Sequence, residues 1–175
     1  IGVFIGSLGF PVVLDLLRHP RTPRRWTLHS KLTITTSLAL VVGGAVLVAA
    51  FEWTNPATFQ PLDPAGRTLA SLFAGVMPRS GGFSTVDTGQ MHEATWVLHD
   101  AVMFVGGGSA STAGGIKVTT LAVMLLAIRA ESRGDRDVEA FGRRVPPDAL
   151  KVAIAVALVA ATLILVATTM LLAMT

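Results

Sequence analysis

At 175 residues, 51% of them hydrophobic and only 14% charged, with a mean hydropathy of +0.63, the chain has the composition of an integral membrane protein and not of a soluble domain. It has no cysteine, which excludes disulfides and thiolate metal centres. The net charge of +3 and the pI near 10.2 do not point to nucleic acid, because the basic residues sit in loops beside apolar runs, where membrane topology accounts for them.

Residues 1–17 read as the end of an apolar helix carrying Gly6, Gly9 and Pro11. Residues 18–31 form a basic loop with Arg18, Arg21, Arg24, Arg25 and Lys31 and no acidic residue, kept from continuing the helix by Pro20 and Pro23. Leu32 to Phe51 is a run of 20 uncharged residues, enough to cross the hydrocarbon core, so 32–53 is predicted as a span. A loop with Pro56, Pro61 and Pro64 follows. Asp63-Pro64 has the form of a helix start, Asp as cap and Pro in the first turn. The helix predicted over 65–77 rises only about 20 Å, too short to span, so a half-membrane re-entrant helix is expected. Pro78 stops it, and residues 79–85 return as a non-helical strand. Residues 94–128 cross again, interrupted by an intramembrane loop over 106–117. Residues 129–151 form a second polar loop, with Arg129, Arg133, Arg136, Arg143, Arg144 and Lys151. Residues 152–175, a run of 24 uncharged residues, are the last span. Both ends lie inside apolar stretches and no signal peptide is present, so the chain reads as an internal piece of a larger membrane protein.

The two basic loops carry five and six Lys or Arg, whereas residues 52–100 carry only Arg67 and Arg79. The two crossings between them, 32–53 and 94–128, put both basic loops on one face and residues 52–100 on the other. The positive-inside rule makes that face cytoplasmic, in a multi-pass protein of the cell inner (plasma) membrane.

The interruption is unusual for a membrane helix. Gly106, Gly107 and Gly108 are followed by Ser109, Ala110, Ser111, Thr112 and Ala113, then by Gly114 and Gly115, with Lys117 closing the stretch. Glycine costs about 1 kcal/mol in a helix interior relative to alanine. Broken backbone at membrane depth survives only when packed in protein or lining a watery path. The half-helix would point the negative end of its dipole into the membrane, which favours a cation. The carbonyls of Ser80, Gly81, Gly82 and Phe83 can replace the hydration shell of a potassium ion, and glycine lets them all face one axis. The Ser-Gly-Gly-Phe string alone reads better as a glycine loop with no ion. Its place after a short helix and between two spans is what points to a filter.

Pro78-Arg79-Ser80-Gly81-Gly82-Phe83-Ser84-Thr85 resembles the third pore loop of the Trk/Ktr/HKT superfamily of potassium transporters, whose pattern is close to Thr-Arg-Thr-Ala-Gly-Phe. Met103 to Thr120 resembles the helix that follows it there, with its Gly-Gly-Ser…Ser-Thr-Gly-Gly-Gly-Ile-Lys motif, and Gly6 to Val12 resembles the end of the preceding repeat. Ser80 stands where Thr is common, Gly81 where Ala is common, and Ala113 replaces a glycine. The resemblance implies an all-α membrane subunit with four helix–pore loop–helix repeats around one pore, channel-like in architecture. This chain would hold the tail of the second repeat, a complete pore repeat over 32–128, and the first span of the fourth. It implies potassium uptake, with K⁺ as transported ion and no cofactor on this chain. Gly82 would be the filter glycine, with Ser80, Gly81 and Phe83 adding carbonyls. Residues 106–117 would be the gate beneath it. A homodimer and a cytosolic nucleotide-binding regulatory subunit that contacts the basic loops are implied as partners.

Other readings attach to single residues. Lys117 either repels cations in the closed loop, pairs with a carboxylate elsewhere, or snorkels to the surface. Arg79 reads as an anchor for the filter loop through a salt bridge. His99 and Asp100 read as a proton relay or as a satisfied polar pair near the interface. His19 and His29 are placed in the basic loop, facing solvent or headgroups, and Trp26, Trp53 and Trp96 at membrane edges. No enzyme is expected. The stretch up to Lys117 lacks the Gly-Lys-Ser/Thr of a phosphate-binding loop. A serine protease centred on Ser109 needs a base, and no histidine follows His99. A structural subunit would space its glycines along one helix face, and these come in consecutive runs.

Overall fold

The computed structural model describes residues 2–135 and 137–174. Ile1 at the head of the first apolar stretch, Arg136 in the second basic loop and Thr175 at the end of the last span lie outside the described residues. The described chain is mostly helical: α1 (Gly2–Leu8), α2 (Phe10–Arg18), α3 (Leu28–Glu52), α4 (Pro64–Val76), α5 (Glu93–Phe104), α6 (Val118–Arg133) and α7 (Pro147–Met174), with a short hairpin of β1 (Glu139–Ala140) and β2 (Arg143–Arg144). Two of these helices, α3 and α7, are long and apolar enough to cross a membrane.

Local chemistry sets most of the boundaries. Thr27 caps α3, accepting from the Ser30 N–H at 3.2 Å, so the helix starts before the uncharged run does and includes His29, Ser30 and Lys31. His29 is therefore a half-buried helical residue and not part of the basic loop, and its Nε2 is buried without a partner. The apolar stretch read as one helix over 1–17 is two, because Gly9 adopts a φ of 87° and breaks it. Pro11, in the first turn of α2, suits a helix that starts afresh there. Gly134, at φ 73°, ends α6, with its own N–H on the Glu131 carbonyl and that of Asp135 on the Ala130 carbonyl. Within the second polar loop, Phe141 and Gly142 both have positive φ, as a two-residue hairpin turn requires. The helix that follows starts at Pro147, five residues ahead of the uncharged run.

Three apolar clusters hold these parts together. Leu32, Ala122, Val123, Ala140, Val145 and Ala153 join α3, α6, the hairpin and α7. Val48, Phe59 and Ala70 close the other end of α3 against α4. Val105, Ile116 and Val118 pack with Leu40 and Ala160 and seat the stretch between α5 and α6.

The α3–α4 crossing depends on small residues. The Gly75 Cα lies close to Gly44, and a Cβ at Gly75 would meet the Val41 carbonyl oxygen at 2.8 Å and the Ala45 nitrogen at 2.9 Å. Gly75→Val is expected to destabilise the protein by about 2–3 kcal/mol. Gly43→Ala, where a Cβ meets nothing within 4 Å, is expected to be neutral or mildly stabilising. Thermal unfolding of the two purified variants in detergent checks the pair.

Candidate functional site

The site is built at the end of α4. Asp63 caps the start of this helix, accepting from the Gly66 N–H at 3.1 Å, and Pro64 occupies its first turn. At the other end the Met77 carbonyl accepts from both the Gly81 N–H (2.9 Å) and the Gly82 N–H (3.2 Å). These bonds correct one expectation. The segment after Pro78 is not a return strand from its first residue. The bonds to Met77 pull it into a tight turn through Gly81, and it runs irregularly from Gly82 onward. Gly81 must lie close to the helix end, since a Cβ there would be 2.9 Å from the Met77 oxygen.

Ser80 (φ 68°) and Gly82 (φ 69°) are left-handed, and Gly81 between them is not. Alternating backbone hands turn successive carbonyls toward a common side. Among the described residues no donor bonds the carbonyl oxygens of Ser80, Gly81, Gly82 or Phe83. A row of free acceptors thus stands at the negative end of a helix dipole, an arrangement that suits a cation. The turn also lines a cavity of about 470 Å³ against α5, together with Met77, Met91, His99 and Met103.

Between α5 and α6, residues 105–117 form a closed loop. Val105 and Ile116 make a parallel bridge, the Gly106 N–H donates to the Ile116 carbonyl (2.9 Å), the Ile116 N–H to that of Phe104 (3.0 Å), and the Val118 N–H to that of Gly107 (3.0 Å). Neighbouring backbone replaces the side chains that glycine lacks. A Cβ at Gly106 would fall 1.4 Å from the Gly114 oxygen, and one at Gly108 would fall 2.2 Å from the Leu8 oxygen. The loop touches both of its neighbours. The Gly114 N–H donates to Ser80 Oγ in the turn after α4 (3.1 Å), and the Gly108 N–H donates to the Ser7 carbonyl at the α1–α2 break (2.7 Å).

The charged and polar residues singled out from the sequence take specific places. Lys117 stands immediately before α6 and folds back so that its Nζ donates to the Ala113 carbonyl at 3.1 Å, which ties the loop to itself. Arg79 is 2% exposed and makes no salt bridge among the described residues. Among those residues its side chain makes only one long bond, from Nη2 to the Ser37 carbonyl on α3 (3.5 Å), and finds no partner for Nε and Nη1. Burying a guanidinium costs several kcal/mol unless acceptors meet it. His99 Nε2 is likewise buried and unpartnered. Ser109 makes no bond to an imidazole among the described residues, so the pairing a serine protease needs is not found there.

Sequence reading missed Glu52, which is fully buried at the end of α3. Its Oε2 accepts from Asn55 Nδ2 and Thr58 Oγ1, both at 2.7 Å, and its Oε1 from the His92 N–H (2.8 Å) and Thr95 Oγ1 (2.5 Å). One carboxylate thus fastens the loop after α3 to the start of α5. The available signal was a single acid directly after a run of 20 uncharged residues.

The family model for TrkH, described as a cation transport protein, matches residues 1–174. The chain is 39% identical over 140 residues to Ktr system potassium uptake protein B of Bacillus subtilis, covering 80% of this chain and 31% of that protein. It is 36% identical over 143 residues to the potassium/sodium uptake protein NtpJ of Enterococcus hirae, covering 82% and 31% respectively. The crystal structure of the potassium transporter TrkH from Vibrio parahaemolyticus superposes with a TM-score of 0.61 at 20% identity, over 88% of this chain and 33% of that one. That likeness concerns the fold. The chain spans about a third of the length of the relatives it matches.

Proposed function

This chain belongs to the TrkH family of cation transport proteins, which are membrane proteins and not enzymes, and from that premise we propose that it forms one pore repeat of a potassium uptake subunit, with its flanking helices. The observation that carries the proposal is the row of unbonded carbonyls at Ser80, Gly81, Gly82 and Phe83, set at the C-terminal end of a half-length helix by left-handed residues 80 and 82. These oxygens replace water around a dehydrated K⁺, and the helix end adds a favourable partial charge. Residues 106–117 lie directly against that turn, bonded to it through Gly114 and Ser80. They act as the obstruction that must move for an ion to leave the filter on the cytoplasmic side.

In this reading α3, the broken pair α5–α6 and α7 cross the plasma membrane, and α4 enters from outside. The basic residues of the loops flanking α3 and α6 face the cytoplasm. Three further repeats complete the pore, two copies of the subunit associate, and a cytosolic nucleotide-binding subunit acts on the basic loops. Lys117 holds the closed loop through the Ala113 carbonyl.

Deleting Ser109 to Ala113 in the complete subunit tests the gate. Uptake measured with K⁺ or Rb⁺ tracer, in cells lacking their own uptake systems, is expected to rise and to lose its dependence on the regulatory subunit. An unchanged rate overturns the gating role. The same cells offered Na⁺ in competition report selectivity, which matters because the relatives' names divide between potassium and potassium/sodium uptake.

A further inference from the structure

We infer that the break between α1 and α2 is the seat that holds the 106–117 loop in its closed position, and that α2 is the strut by which movement of the adjoining basic loop reaches it. This inference rests on the gating role proposed above.

The contact is backbone against backbone on both sides. The Gly108 N–H donates to the Ser7 carbonyl at 2.7 Å, and the Phe10 N–H donates to the Ala110 carbonyl at 3.3 Å. At Gly9, with φ 87°, a Cβ would stand 2.2 Å from the Ser109 oxygen; at Gly107 it would stand 2.4 Å from the Ser7 oxygen. At Gly9 and Gly107 the two backbones meet with no side chain between them, so the loop cannot leave its position without parting these two bonds. Ala110 is held at φ 53°, a conformation alanine rarely adopts. The carbonyl that receives the Phe10 N–H therefore belongs to a residue constrained by the seat.

The other end of α2 is also fastened. Asp15 Oδ2 accepts from the Thr27 N–H (2.8 Å) and from Thr27 Oγ1 (3.0 Å), and Thr27 caps α3. Trp26 Nε1 donates to the His19 carbonyl just beyond α2 (2.9 Å). The nine-residue helix α2 thus runs from the basic loop to the gate with polar attachments at both ends. Gly9 is a positioning residue: it allows the approach and touches no ion.

The chain has no cysteine, so a pair introduced here meets no competing thiol within these 175 residues. In the complete subunit, Phe10→Cys with Ala110→Cys places one thiol on each side of the seat. Oxidation is expected to form the disulfide and reduce tracer uptake to the level of cells without the transporter, and a reductant is expected to restore it. Because one preparation is compared with itself, misfolding cannot produce that reversal. Failure of the pair to be joined either by oxidant or by a short bis-thiol-reactive crosslinker shows the two breaks are not adjacent and overturns the inference; so does a fully formed link that leaves uptake unchanged. If the Ser109–Ala113 deletion alters uptake while the disulfide does not, the seat falls and the gate stands. If neither alters it, the gating role falls and the seat with it.

Discussion

Gly106→Ala is expected to prevent the 106–117 loop from closing, whereas Gly114→Ala in the same loop is expected to be tolerated. The methyl at 106 would lie 1.4 Å from the Gly114 carbonyl oxygen, which is backbone and cannot swing away. It would also displace the Gly106 N–H from the Ile116 carbonyl and open the bridge between Val105 and Ile116. Overpacking of this kind costs about 3 kcal/mol or more. At Gly114 a Cβ meets nothing within 4 Å and φ is not positive, so the cost should stay within about 0.5 kcal/mol. Thermal unfolding of the complete subunit in detergent, run beside tracer uptake, separates the two. Equal melting temperatures for both variants would show that the loop is not closed in this way.

Glu52→Ala is expected to cost about 3–5 kcal/mol, because it strands several buried donors at once. Two of them lie within the next six residues, on Asn55 and Thr58. The other two, the His92 N–H and the Thr95 hydroxyl, lie some forty residues away on the approach to α5. The substitution therefore loosens α5 from α3 and shifts the base on which the glycine loop stands. Glu52→Gln keeps volume and one carbonyl oxygen but turns an NH₂ toward two donors, so an intermediate loss of about 1–3 kcal/mol is expected. Melting curves in the order wild type, Gln, Ala check this; a wild-type curve for Glu52→Ala would refute the network.

What could be read from the sequence follows the range of the interactions involved. The limits of α4 come from Asp63, Pro64 and Pro78, all local signals, and the course of α3 and α7 from long uncharged runs. The interruption between α5 and α6 was visible because consecutive glycines defeat a helix wherever they occur. Gly9 was not legible as a break. A lone glycine in an apolar helix is usually tolerated, and what fixes its φ is a loop a hundred residues further on. The roles of Glu52 and Lys117 depend on partners that only the folded chain brings near. Arg79 was read as the owner of a salt bridge, yet it is buried beside a single weak acceptor. The hairpin over 139–144 was hidden in a loop judged by its charge, although Phe141-Gly142 is a turn that glycine permits.

The mutual bonding of the two broken helices constrains how the protein is made. A ribosome delivers α1 and α2 to the membrane long before the 106–117 loop exists. In the membrane placement proposed above, the Ser7 carbonyl and the Phe10 N–H lack these partners until that loop arrives, in a medium that supplies none. The early pair must therefore wait as an uninterrupted helix, stay in the insertion channel, or be shielded by lipid headgroups and water. The same holds in reverse for Gly108 and Ala110. On that placement neither break is completed alone, so the α1–α2 and α5–α6 pairs are expected to mature together, late in biogenesis.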